Sequence, residues 1–204
     1  MTARGLLVDF GGVLSTSQFD SLLGFCRREG LAADAFDPVL SSPAGTAMVV
    51  ELESGRLSQQ DFALRTAQLV GVDPENLFER IGVDLRPQPE VLDAVARVRA
   101  LGCRVGVLSN SWGSSPYDAY APWHLDEHFD TVVISDQVGL RKPDPAIYRL
   151  AAERLGVPPA GCVFVDDHAG YLEPASRLGM TTVYAVDPAT TVEALDRLFP
   201  PPAG

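Results

Sequence analysis

The pattern of apolar and polar positions changes character along this chain. Near its start, Leu6, Leu7 and Val8 form an apolar run without alternation, and glycines 11 and 12 follow shortly afterwards. A continuous apolar run that ends near glycine is typical of a strand buried on both faces of a parallel sheet. Asp9 is therefore predicted to lie at the carboxyl end of this strand, which is where open α/β sheets bind ligands.

Residues 15–85 have a different pattern, in which apolar side chains recur at helical spacing from Phe19 onwards and no strand signal stands out. Ser58 resembles an N-cap, and Asp73-Pro74 has the form of a helix start. Gly30 is expected to end the first helix of this segment. The pattern predicts a helical block rather than the next layer of a sheet.

From Pro89 onwards, helical and strand-like segments alternate. The pattern predicts helices at 91–101, 146–155 and 191–199, and strands at 104–108, 131–134, 162–165 and 182–186. Such alternation is typical of a doubly wound parallel sheet. We therefore predict an α/β, Rossmann-like core of residues 1–14 and 86–204, with residues 15–85 inserted as a helical cap.

Composition limits the possible partners and locations. Of the 204 residues, 27 are acidic and 16 basic, which gives a net charge of −11 and argues against nucleic acid as a partner. No run of about 18 apolar residues is present, so we expect no membrane span. The first residues lack a signal-peptide pattern, and the three cysteines are far apart, as expected for reduced thiols. We expect a cytoplasmic protein.

Polar residues follow several of the predicted strands, where they could converge at one edge of the sheet. They are Asp9, Ser109-Asn110, Lys142 and Asp166-Asp167. Carboxylates from two strands suit Mg²⁺, whereas a hydroxyl, an amide and an ammonium suit phosphate oxygens. Lys142 is the only lysine among the 16 basic residues, which favours a position that needs a compact ammonium group.

These four segments, in this order, resemble the four motifs of the haloacid dehalogenase-like hydrolase superfamily. The segments are Asp9-Phe-Gly-Gly-Val-Leu, Ser109-Asn110, Lys142-Pro-Asp-Pro and Asp166-Asp167. The resemblance covers essentially the whole chain, and residues 51–58 resemble the cap helix and turn common in this superfamily. It implies a hydrolase that needs Mg²⁺.

The resemblance also implies a role for each matching residue. Asp9 would be the nucleophile, Ser109 would hydrogen-bond the phosphoryl group, and Lys142 would neutralise the charge shared by Asp9 and phosphate. Mg²⁺ would be held by Asp9, the backbone carbonyl of Gly11 and Asp166, and Asp167 would be either a further ligand or a residue that holds a metal-bound water. Substrate contacts are expected from Gly12, Asn110 and Trp112, and Trp112 could equally pack beneath the cap.

The chain departs from the superfamily pattern at two places. Its phosphatases usually have Asp-x-Asp in the first motif, and the second aspartate resembles a general acid and base; here that position is Gly11. Because such a group contributes about 10² to 10⁴-fold to a rate, we expect slow turnover of alkyl phosphates. In the fourth motif, Tyr171 stands where asparagine is common. His168 could replace the missing acid and base, could contact an anion, or could cap the following helix.

The leading hypothesis is a magnesium-dependent hydrolase of a small phosphorylated metabolite, acting through an aspartyl-phosphate at Asp9. A second hypothesis is a catalytically weak relative that binds a phosphorylated ligand or a protein partner, which Gly11 and Tyr171 favour. A third is cleavage of a carbon–phosphorus or carbon–halogen bond. The pattern leaves the substrate and the oligomeric state open.

Overall fold

Five parallel strands form one sheet, in the spatial order β3-β2-β1-β4-β5. The computed structural model describes residues 5–200; residues 1–4 and 201–204 of the predicted core lie outside that range. The strands are β1 (Gly5–Val8), β2 (Arg104–Ser109), β3 (Thr131–Ile134), β4 (Cys162–Asp166) and β5 (Thr181–Tyr184). From β1, the chain adds β2 and β3 on one side and then β4 and β5 on the other. Such sheets bind ligands at the point where this change of side occurs, and Asp9 follows β1 directly at that point. The predicted doubly wound α/β fold is confirmed.

Helices cover both faces of the sheet, so its central strand is completely buried. Leu6 and Val8 face a cluster that includes α6 (Pro89–Ala100) and α11 (Pro188–Leu198). Leu7 faces the opposite cluster, which includes α9 (Pro145–Leu155) and α10 (Ala169–Arg177). Along the chain, the short helices α7 (Leu125–His128) and α8 (Ser135–Val138) come between α6 and α9. The 3₁₀ turns are at Ala121–Trp123 and Pro159–Gly161.

The chain between β1 and α6 forms a helical insertion with a hydrophobic core of its own. Its helices are α1 (Gln18–Arg28), α2 (Asp37–Leu40), α3 (Pro43–Glu53), α4 (Gln59–Val70) and α5 (Leu77–Gly82). Phe25, Leu52 and Phe78 are among the side chains buried in this core. The predicted N-cap is present, because the Ser58 hydroxyl accepts a hydrogen bond from the Asp61 amide.

The two segments that join the insertion to the sheet run beside each other. The Thr16 amide donates to the Arg86 carbonyl at 2.8 Å, and the Gln88 amide donates to the Leu14 carbonyl at 2.9 Å. The boundaries predicted from sequence, 14/15 and 85/86, lie at this crossing. The division into a core and a cap that moves as a unit stays a prediction.

Several element boundaries differ from those predicted by one to four residues; the last helix, for example, begins at Pro188 rather than at 191. Two of the differences have a clear local reason. The helix expected to start at Asp73-Pro74 begins at Leu77, because the Asp73 carboxylate accepts from the Glu75 amide in a turn and Asn76 has a positive φ of 50°. The last strand ends at Tyr184 rather than at Val186. Val186 is 69% exposed, so burial does not hold it in the sheet.

The helices within residues 5–200 have at most 12 residues. None of them combines the length and the apolar character that a bilayer crossing requires.

The central strand provides a test of the packing. Leu7→Ala should lower the free energy of unfolding by about 2–5 kcal/mol, because it leaves a cavity beside a fully buried strand. Leu64→Ala on α4 is the matched control, because Leu64 is 51% exposed and should cost less than about 0.5 kcal/mol. Urea denaturation of the two variants measures both effects. Equal losses would contradict the described burial of β1.

Candidate active site

Asp9 is held rigidly where β1 ends. Its amide donates to the Val165 carbonyl on β4 at 2.9 Å, and the Phe10 amide donates to Asp9 Oδ1 at 2.7 Å. The Phe10 ring packs against Tyr120 and Trp123, with ring centroids 4.8 Å apart in both pairs. The backbone on either side of Asp9 is therefore fixed, and Oδ2 of its carboxylate faces the site.

Lys142 lies between two carboxylates that come from neighbouring strands. Its Nζ atom lies 3.0 Å from Asp9 Oδ2 and 2.6 Å from Asp166 Oδ2, and the side chain is completely buried. Burial lowers the pKa of Lys142, but the charges of Asp9 and Asp166 raise it by more, so the net shift is upward. The only lysine of the sequence therefore remains an ammonium group at the centre of the site.

Three carboxylates form an acidic cluster around this ammonium group. Oxygen atoms of Asp9, Asp166 and Asp167 lie within 4.8 Å of one another. Burial raises the pKa of Asp9 to about 8, with Lys142 opposing the shift and Asp166 adding to it. Burial also raises the pKa of Asp167. One ammonium group does not balance three carboxylates, so a divalent cation with a preference for oxygen ligands fits this cluster.

The turn after Asp9 accommodates the third carboxylate only because it contains glycine. Gly12 has a φ of +76°, and a Cβ atom at this position would overlap the Asp167 carboxylate. The Asp166 carboxylate is fixed from the other side, because its Oδ1 accepts from the His168 amide at 2.7 Å. The two loops thus fit closely against each other at the edge of the sheet.

Ser109 and Asn110 end β2 beside this cluster. The Ser109 hydroxyl is buried, 3.0 Å from the Tyr120 hydroxyl and 3.2 Å from the Asn110 carbonyl oxygen. The Asn110 side chain brackets the peptide of Lys142: Oδ1 accepts from its amide at 2.8 Å, and Nδ2 donates to its carbonyl at 3.1 Å. The structure thus gives Asn110 a part in positioning the lysine, in addition to the predicted substrate contact.

A buried carboxylate from the helical insertion also reaches the site. Glu53, the last residue of α3, accepts through Oε2 from Arg141 Nε at 2.6 Å and from Asn110 Nδ2 at 3.3 Å. Burial raises the pKa of Glu53, and Arg141 opposes the shift. Sequence reasoning did not identify this pair, although residues 51–58 were recognised as a characteristic helix and turn.

The remaining predicted residues lie around the site. Trp112 packs against Phe78 of α5, with ring centroids 6.0 Å apart, as expected of a residue beneath the helices. His168 is exposed, stacks on the Tyr171 ring at 4.2 Å, and is the N-cap residue of α10 without a side-chain capping bond. The Tyr171 hydroxyl lies 3.4 Å from Asn110 Nδ2. The roles proposed for Trp112 and His168 stay predictions.

Comparison with known proteins extends these observations. The family model described as haloacid dehalogenase-like hydrolase matches residues 3–179. The D-ribitol-5-phosphate phosphatase of Bacteroides thetaiotaomicron is 30% identical over 88% of this chain and 90% of its own length. The mouse acyl-CoA dehydrogenase family member 10 is 36% identical over 54% of the chain. That match spans only 10% of the mouse protein.

A solved structure shares the fold. The magnesium complex of a haloacid dehalogenase family enzyme from Bacteroides thetaiotaomicron superposes with a TM-score of 0.70. The match covers 92% of this chain and 96% of that chain, at 20% identity. At this level of identity, the likeness concerns the fold alone.

The central ion pairs can be tested by removing the ammonium group. Lys142→Met should lower the free energy of unfolding by about 3–5 kcal/mol, because it leaves Asp9 and Asp166 buried together without a counter-charge. Arg149→Met, an exposed position on α9, is the control and should change stability by less than about 0.5 kcal/mol. Urea denaturation in the absence of divalent cations measures both. A loss below 1 kcal/mol for Lys142→Met would contradict a tightly coupled buried triad.

Proposed function

We propose that this chain, which belongs to the haloacid dehalogenase-like hydrolases, is a magnesium-dependent phosphatase of a small phosphorylated metabolite. The observation that carries the proposal is the convergence of Asp9, Lys142 and Asp166 at one edge of the sheet, at 3.0 and 2.6 Å. The 30% identity to a sugar-alcohol phosphatase over most of both chains supports it. The fold comparison is consistent with the proposal but does not bear on the substrate.

The side chains support a displacement at phosphorus with Asp9 as nucleophile. A carboxylate oxygen of Asp9 forms a bond to phosphorus while the bond from phosphorus to the ester oxygen breaks, and the ester oxygen leaves with the electron pair. Water then hydrolyses the aspartyl-phosphate and restores the carboxylate. Lys142 would balance the negative charge that Asp9 and the phosphoryl group share, and Ser109, at the end of the neighbouring strand β2, would hydrogen-bond a phosphoryl oxygen.

A cation has a defined place in this scheme. Asp9, Asp166 and Asp167, together with the Gly11 carbonyl, would hold Mg²⁺, which would supply positive charge to the phosphoryl oxygens. Three carboxylates clustered around one ammonium group leave an excess of negative charge, which disfavours phosphate binding unless a cation compensates it. The arrangement therefore favours a metal-dependent reaction.

The helical insertion would act as the cap. Asp9 is 8% exposed, and neither Asp9 nor Lys142 lines the cavities of about 880 and 620 Å³ that the described residues form. Substrate entry would require the insertion to move away from the sheet, and the paired segments around Ser15 and Pro87 are where the chain crosses between them. Closure would then exclude water and bring Glu53 back against Arg141.

The catalytic role of Asp9 can be tested with an activated ester. Wild type should hydrolyse para-nitrophenyl phosphate in Mg²⁺, and Asp9→Asn should lower kcat/KM by about 10³-fold or more. Asp126→Asn, an exposed aspartate on α7, should retain wild-type activity. Alkyl phosphates should react about 10²-fold more slowly than the aryl ester, because Gly11 provides no acid.

The result also discriminates between the candidate functions. No magnesium-dependent phosphate release from any substrate would overturn the phosphatase proposal and favour the ligand-binding alternative, which Gly11 and Tyr171 suggest. Asp9-dependent release of halide or of a carbon-bound phosphoryl group, with phosphate esters inert, would instead identify carbon–halogen or carbon–phosphorus cleavage.

Cation binding can be measured without turnover. Mg²⁺ added to metal-free protein should raise the melting temperature, because a ligand that binds only the folded state stabilises it. Asp167→Asn should shift the half-maximal Mg²⁺ concentration upward by about tenfold or more. Asp126→Asn again serves as the control, and differential scanning fluorimetry provides the measurement. An unchanged response in Asp167→Asn would exclude Asp167 as a ligand.

A further inference from the structure

The space beside Gly11 is filled by another side chain. A Cβ atom placed on Gly11 would lie 2.9 Å from Cγ, 3.0 Å from Cδ and 3.2 Å from Nε2 of Gln18. These separations are shorter than ordinary van der Waals contacts, so a larger residue at position 11 would have to displace the Gln18 amide. Glycine and Gln18 therefore fit each other as a pair.

The backbone explains why Gln18 reaches this position. The turn after Asp9 folds back on the following segment through the Gly11–Ser15 bridge and the Gly12 amide, which donates to the Thr16 carbonyl at 3.4 Å. Gln18 is the first residue of α1, and Ser17 before it caps that helix. The first residue of α1 is thereby placed against the loop that follows Asp9.

The Gln18 side chain is free to bind a ligand. It is half-buried. Among the described residues 5–200, no hydrogen bond joins its amide to the protein. Gln18 lies beside Gly11, and the next residue of the loop, Gly12, lies against Asp167 of the acidic cluster. A primary amide provides two N–H donors and one acceptor, but it does not ionise and cannot transfer a proton at neutral pH.

We propose that Gln18 is a specificity-determining residue that occupies the place of a side chain at position 11 and binds the oxygen of the leaving group. Its Nε2 group donates a hydrogen bond to this oxygen as the phosphorus–oxygen bond breaks, and the oxygen takes its proton from solvent. The substrates are then phosphates whose leaving group is stable as an anion, such as acyl, enol or aryl phosphates. This inference rests on the proposed phosphatase function.

The test converts the amide to an acid of the same shape. Gln18→Glu places a carboxyl group where the amide lies, and its protonated form can give a proton to the leaving oxygen. An acidic residue in the first turn of a helix is favoured by the helix dipole, so the variant should fold. We expect kcat/KM for alkyl phosphates to rise about 10-fold to 100-fold relative to para-nitrophenyl phosphate. This gain should disappear at high pH as the carboxyl group ionises.

Gln60→Glu is the matched control. Gln60 is exposed on α4, so this substitution adds the same charge away from the site. It should leave the ratio of alkyl to aryl turnover and the pH profile unchanged. Gln18→Ala should lower kcat/KM most for the substrates with the poorest leaving groups, across a series of phosphate esters. If Gln18 had only a structural role, Gln18→Ala would lower kcat/KM equally for all substrates. Gln18→Glu would then create no pH dependence confined to alkyl esters.

A second pair of variants tests the steric fit. Gly11→Asp alone should lower activity towards para-nitrophenyl phosphate, whereas Gly11→Asp with Gln18→Ala should recover it and gain alkyl phosphatase activity. Such coupling is expected only of residues that share one space. An unchanged alkyl-to-aryl ratio in Gln18→Glu, or additive effects of the two substitutions, would overturn the inference. If the wild-type protein itself released no phosphate, or if Asp9→Asn kept the wild-type phosphatase activity, the proposed function would be refuted instead.

Discussion

The rest of the site depends on the buried ion pairs that the Lys142 ammonium group forms with two carboxylates. Two carboxylates on neighbouring strands, Asp9 and Asp166, are removed from water and share this one counter-charge. Either carboxylate without it would carry a desolvation cost of several kcal/mol. The ends of β1 and β4 are therefore tied to the loop between α8 and α9, and Asn110 ties the end of β2 to the same loop.

The helical insertion adds a second set of contacts beside the acidic cluster. Glu53 approaches Arg141, and Gln18 fills the space beside Gly11. In the proposed reaction, the sheet would provide the groups that attack phosphorus, and the insertion would provide those beside the leaving group. Glycine at position 11 then belongs to a paired arrangement in which an amide takes the place of an ionisable side chain.

The fold could be predicted because its signals are local. The runs 6–8 and 162–165 are apolar without alternation, and both are central strands of the sheet. Where local signals compete, prediction loses accuracy: Asp73 forms a turn rather than the start of a helix, and Val186 lies beyond the end of its strand. The acidic cluster also followed from the sequence, because the carboxyl ends of parallel strands share one edge.

The sequence by itself thus determined which segments form strands and which side chains lie at the strand ends. It also determined that Asp9, Asp166 and Asp167 come together in one acidic cluster. Only the tertiary structure decided which side chains complete the site. Glu53 meets Arg141 across 88 residues, and the Ser109 hydroxyl meets that of Tyr120 in a buried contact. Such contacts leave no periodic pattern, because they depend on how separately formed elements pack, and packing is fixed only when the whole chain has folded.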